Sequence, residues 1–63
     1  MTYAKAIKAL RKKMLITQTE LAAQLGVAFV SVNRWENGLY EPTMKAKRKL
    51  ALLFDKYGIS LEE

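Results

Sequence analysis

The chain has 63 residues, with eleven Lys and Arg against six Asp and Glu, giving a net charge of +5 and a pI near 9.8. One domain of this size lies near the lower limit for a single unstapled core, and with no cysteine and no histidine it can have no disulfide, zinc finger or His- or Cys-based catalytic centre. The 51% hydrophobic fraction suffices for a packed core without a metal, and the basic surplus is either the electrostatic footprint of a nucleic-acid binder or an aid to solubility.

Tyr3, Ile7, Leu10 and Met14 fall at helical spacing with lysines opposite, which predicts a first helix over about 3–14. Thr2 is placed to cap its start, and Lys12 and Lys13 suit the negative end of its dipole. Leu15 and Ile16 bridge to Thr17, and Glu20 three residues on completes a T-x-x-E capping box for a second helix that ends at Gly26. A third helix follows a short turn and stops at Asn37-Gly38. Leu39 to Pro42 form a loop. Thr43 caps a fourth helix whose inward stripe is read as Met44, Leu50, Leu53, Phe54 and Tyr57, stopped by Gly58. Residues 59–63 read as the capped first turn of a fifth helix. No segment alternates long enough to argue a strand, and there is no repeat or linker, so the whole chain, 1–63, is expected to be one all-α domain.

On a helical wheel, Ser31, Val32, Trp35 and Glu36 share one side of the third helix, and Phe29, Val30, Asn33, Arg34 and Asn37 share the other. Trp35 belongs in the core, so the second side is outward. An amide, a guanidinium and two apolar groups make an odd surface to show water alone.

Residues 17–38, TQTELAAQLGVAFVSVNRWENG, carry Leu21, Leu25, Val27, Val32 and Trp35 as an apolar set, a small Ala22 at the crossing and Gly26 at the turn. This stretch resembles the helix-turn-helix of the phage-repressor and Cro family, the XRE-like regulators, and the likeness extends over nearly the whole chain. It implies a compact four- to five-helix, lambda-repressor-like DNA-binding domain with the motif at the second and third helices. It also implies a repressor-type transcription regulator that reads double-stranded DNA in the major groove.

Under that resemblance the outward residues acquire roles from their chemistry. Arg34 can place its fork on O6 and N7 of guanine, and Asn33 can bond N6 and N7 of adenine, or instead a phosphate or a water. Phe29 and Val30 offer contact with a thymine methyl, unless Phe29 folds onto the protein. Gln18 opens the second helix, where backbone N–H groups and the helix dipole favour a phosphate, and family members use this glutamine's side chain there too. Asn37 at the end of the third helix, and Tyr40 and Lys45 around Pro42, are further phosphate candidates. Arg11 and Glu36 match positions where similar domains pair an arginine with a glutamate, which makes them a structural pair, with Arg11 also near the backbone. Lys5, Lys8, Lys47 and Lys49 read as a solvated face. Two residues depart from the family pattern. Ala28 replaces the usual capping Ser, Thr or Asp, and Leu39 replaces the basic residue often found after Asn-Gly.

The alternative is a protein-interaction module of an antitoxin-like system, using Phe29, Val30, Leu39 and Tyr40 as an apolar patch. RNA binding lacks an aromatic stacking platform. Six scattered carboxylates and no phosphate-cradling loop leave nothing to carry catalysis, so neither an enzyme nor a cofactor is expected. No apolar run approaches the roughly 20 residues of a membrane span, and the N-terminus does not resemble a secretory signal; a cytoplasmic protein is expected. The resemblance implies a homodimer on a palindromic operator. With no heptad run or appended oligomerisation segment in these residues, a monomer is expected in free solution.

Overall fold

The computed structural model describes residues 2–61. Four helices follow in order: α1 Tyr3–Met14, α2 Gln18–Leu25, α3 Phe29–Glu36 and α4 Met44–Tyr57. Three begin at threonine caps. The Thr2 hydroxyl accepts from the Lys5 N–H at 3.3 Å and the Thr43 hydroxyl from that of Ala46 at 3.3 Å. At α2 the capping box is complete, with Glu20 N–H to Thr17 Oγ1 at 3.1 Å and Thr17 N–H to Glu20 Oε1 at 2.9 Å. Each box partner satisfies a donor that the helix leaves open. Ala28 precedes α3 with no side-chain cap, because alanine has no oxygen to offer.

All four helices end in the same pair of backbone bonds, in which two successive N–H groups turn back to carbonyls of the last turn. For α2 these run from Gly26 to Ala23 and from Val27 to Ala22; for α4, from Gly58 to Asp55 and from Ile59 to Phe54. The motif needs one left-handed residue. In α1 that residue is Leu15, at φ 58°, whereas the other three are glycines. Leu15 is 90% exposed, so its side chain contributes no packing. A left-handed conformation costs a side-chain-bearing residue roughly 1–2 kcal/mol, against about 0.4–1 kcal/mol for the extra unfolded-state freedom of glycine. Leu15→Gly is therefore expected to stabilise the domain by about 0.5–1 kcal/mol, seen as a higher melting temperature. A lower one would mean that the Leu15 side chain packs on something.

The core draws on every helix: Ala6, Ile7 and Leu10 from α1, Leu21, Ala22 and Leu25 from α2, Val32 and Trp35 from α3, and Ala46, Leu50 and Phe54 from α4. α3 lies against both α2 and α1, and α4 closes the core against α1 and α2. Two expectations are corrected. Met44 is 66% exposed. The buried row of α4 runs Ala46, Leu50, Phe54 at four-residue steps, and Met44, two residues earlier, falls about 200° away on the outer face. No fifth helix forms over residues 59–61. There the Ile59 N–H is spent on closing α4, and Ile59 and Leu61 pack half-buried on the core. Glu62 and Glu63, the rest of that expected turn, lie outside the described residues.

Candidate nucleic-acid interface

The rotation of α3 about its axis decides what the protein shows to a partner. Val32, Trp35 and Glu36 point inward and are buried. Phe29, Val30, Arg34 and Asn37 are exposed, and Asn33 is half-covered. Packing fixes this rotation through Trp35, and a charged contact fixes it a second time. The Arg11 guanidinium grips the Glu36 carboxylate with Nε to Oε2 at 2.8 Å and Nη2 to Oε1 at 3.0 Å. Its third nitrogen, Nη1, donates to the Ile16 carbonyl at 3.4 Å. One side chain thus ties α1, the α1–α2 link and α3 together, which leaves Arg11 committed inside the protein before any phosphate approaches.

Glu36 is only 3% exposed. Burial pushes its carboxyl up, but the hydrogen bonds from Arg11 and Gln18, with the charges of Arg11 and Lys8, outweigh that and hold it below its ordinary value. The same hydrogen bond to Glu36 raises the Arg11 guanidinium further. The pair is therefore ionised throughout the neutral range.

Gln18 stands at the start of α2, as expected for a helix N-terminus facing a phosphate, but its side chain is already in use. Nε2 donates to Glu36 Oε1 at 3.1 Å, and Oε1 accepts from Asn33 Nδ2 at 3.2 Å. Asn37 Nδ2 in turn donates to Asn33 Oδ1 at 3.1 Å. Gln18, Asn33, Asn37, Glu36 and Arg11 form one continuous network under and across the outward face of α3. The capping box leaves the backbone N–H groups of Gln18 and Thr19 unused, and these point out of the positive end of α2. Beside the network, the Arg34 guanidinium lies over the Tyr40 ring, 5.5 Å from its centroid. Tyr40 is thus placed as a platform for Arg34. Lys45 is exposed on the first turn of α4.

Two lysines assigned to a solvated face have structural work. Lys49 Nζ donates to the Leu25 carbonyl at 3.1 Å, capping the end of α2 beside the Gly26 turn. Lys47 Nζ pairs with Glu41 at 3.0 Å, which raises its pKa, and sits 5.0 Å from the Tyr3 ring centroid. Lys13 similarly reaches the Tyr57 carbonyl at 3.0 Å. The partners of Lys49 and Lys13 lie 24 and 44 residues away, beyond any local sequence signal. Lys5 and Lys8 remain on the surface. Among the described residues no group of three or more His, Cys, Asp or Glu could hold a metal ion, and no helix is long and apolar enough to cross a membrane.

Two short helices joined by a glycine turn, the second with one buried and one outward face, match a known family. A family model described as Helix-turn-helix matches residues 7–63. Neither the curated proteins nor the solved structures gave a match. On its fold and this match, the chain belongs to the Cro/C1-type, XRE-like helix-turn-helix family of DNA-binding transcription regulators.

Proposed function

We propose that α3 enters the major groove of double-stranded DNA and reads sequence there, as the recognition element of a repressor-type regulator. The observation that carries this reading is the outward face of α3. Phe29, Val30, Asn33 and Arg34 lie together on it, while Trp35 and the Arg11–Glu36 pair hold the helix from beneath. Arg34 suits O6 and N7 of guanine, Asn33 suits adenine, and Phe29 and Val30 suit thymine methyls. The stacking of Arg34 on Tyr40 restrains a long side chain before binding, so less freedom is lost in the complex. Phosphates would be held by the open N–H groups of Gln18 and Thr19, by the remaining amide N–H groups of Gln18 and Asn37, and by Lys45, with Arg11 and Tyr40 contributing what their internal contacts leave available.

Arg34→Ala is expected to cost about 1–3 kcal/mol on the preferred duplex and to relax preference at one guanine, with little change on unrelated DNA. Competition titrations with single-base variants check this. Equal weakening on every sequence would move Arg34 to the phosphate contacts.

A homodimer on a palindromic site would double both readout and phosphate contacts, with half-sites one turn of DNA apart. On this reading the free protein is a monomer at micromolar concentration and pairs on the operator. Phe29 and Val30, 49% and 44% exposed, together with exposed Leu39 and Tyr40, favour one competing reading, an apolar docking surface for a protein partner of the antitoxin type. Salt separates the two. Phosphate contacts give a steep loss of affinity between about 50 and 200 mM salt, and an apolar interface gives a shallow one.

A further inference from the structure

The first turn of α3 carries no hydrogen-bonding side chain on its outward side. Ala28 precedes the helix without a cap, and Phe29 and Val30 follow it, 49% and 44% exposed. Ser31, the first polar side chain, is half-buried. Phe29 and Val30 cannot tell a donor from an acceptor on a base edge. The apolar group that the major groove offers them is a methyl on C5 of a pyrimidine. Thymine always carries that methyl, and cytosine carries it only after methylation. A contact made through the methyl alone therefore accepts 5-methylcytosine as well as thymine.

Val30 and Arg34 are four residues apart on one helix, about 40° apart around its axis, so they stand one above the other on the outward face. Val30 lies a turn before Arg34, and Tyr40 lies beyond the end of the helix, so the two flank it. The Arg34 guanidinium is already over the Tyr40 ring, 5.5 Å from its centroid. A guanidinium is flat and weakly hydrated. With its fork on O6 and N7 of a guanine and one face on Tyr40, its second face is left for the neighbouring base. In B-form DNA the C5 group of a pyrimidine lies beside the N7 edge of the guanine that follows it in the same strand. A methyl group at that point would rest against the Arg34 face and the Val30 side chain together. A hydrogen there would leave both against water.

We propose that cytosine methylation at C5 controls binding by this protein: a 5-methylcytosine immediately 5′ to the guanine read by Arg34 is held by Val30, and the same duplex without the methyl group is held more weakly. The proposal rests on the major-groove reading above and adds to it a covalent mark on the DNA.

The test first uses Arg34→Ala to locate its guanine, as the position whose preference that variant erases. Duplexes are then made with the preceding base as cytosine or 5-methylcytosine, and separately as uracil or thymine. Each pair differs by one methyl group and leaves the base pairing unchanged. The duplex with 5-methylcytosine is expected to bind about threefold to tenfold more tightly than that with cytosine, from burial of one methyl group. Thymine should exceed uracil by a similar factor. Val30→Ser should reduce both ratios to less than about twofold while keeping the preference for guanine. Circular dichroism checks that this variant is folded, and Val30→Thr, of the same shape as the wild type, takes its place if it is not.

Equal binding of the two cytosine duplexes overturns the proposal, as does weaker binding of the methylated one. A methyl effect undiminished in the folded Val30 variant overturns it too, because methylation would then act through the shape of the DNA. If Arg34→Ala erases no guanine preference, the major-groove reading itself fails, and the proposal fails with it.

Discussion

Replacing Trp35 with alanine is expected to unfold most of the protein at room temperature. Trp35 is buried to 95%, the largest side chain in a core shared by all four helices. Truncating a buried tryptophan typically costs about 3–5 kcal/mol, because the lost apolar contact is compounded by the cavity left behind. Domains are stable by roughly 0.05–0.15 kcal/mol per residue, so a chain of this length holds only about 3–9 kcal/mol in total. Short helices such as α2 and α3 do not persist without tertiary support, so the motif melts with the core. Far-UV circular dichroism with urea titration measures the loss. A Trp35→Ala protein that melts cooperatively near the wild-type midpoint would mean that α3 is rotated from the phase described. The outward set of Phe29, Val30, Asn33 and Arg34 would then be lost as well.

Glu36→Ala is expected to cost about 3 kcal/mol, at the lower end of what breaking a buried ion pair does, because the Arg11 side chain keeps 25% exposure and part of its hydration. The substitution also strands Gln18 Nε2. The carboxyl of Glu36 is held below its ordinary value of 4.5, so this group's stabilising contribution is fully present above about pH 4.5. It is lost as the pH falls through the lowered folded value, where the folded state must take up a proton that the unfolded chain already holds. The wild-type melting temperature should therefore fall below pH 4.5, and Glu36→Ala should lose a measurable part of that dependence. A wild-type protein and variant with parallel acid profiles would show that the pair contributes nothing through its ionisation.

Much of this fold is written in short-range signals. Thr2, Thr17 and Thr43 each precede an apolar-periodic run, and the Thr17–Glu20 box announces α2 from four consecutive positions. Trp35 set the phase of α3 because a side chain of that size has few places to go other than the core. Where the sequence is silent, the physics is non-local or the signal small. Met44 looked like core because it is apolar, while Ala6 and Ala46, which are buried, carry little hydrophobic weight. Leu15 gives no local hint of a left-handed residue, since a leucine there is unfavourable by propensity.

The amide network is not legible in the sequence for a different reason. Two of its bonds join residues 18 and 15 positions apart that meet only when α2 packs on α3. The Asn33–Asn37 bond, at i, i+4 on one helix, was within reach of the sequence.

The central claim is that the outward face of α3 reads base pairs. Selection of bound duplexes from a random pool at about 150 mM salt, near physiological ionic strength, tests it most directly. An enriched motif is expected, with a guanine whose preference Arg34→Ala erases and a second copy in inverted orientation about one helical turn away. A pool that stays random in sequence while the protein binds every duplex with steep salt dependence would contradict it.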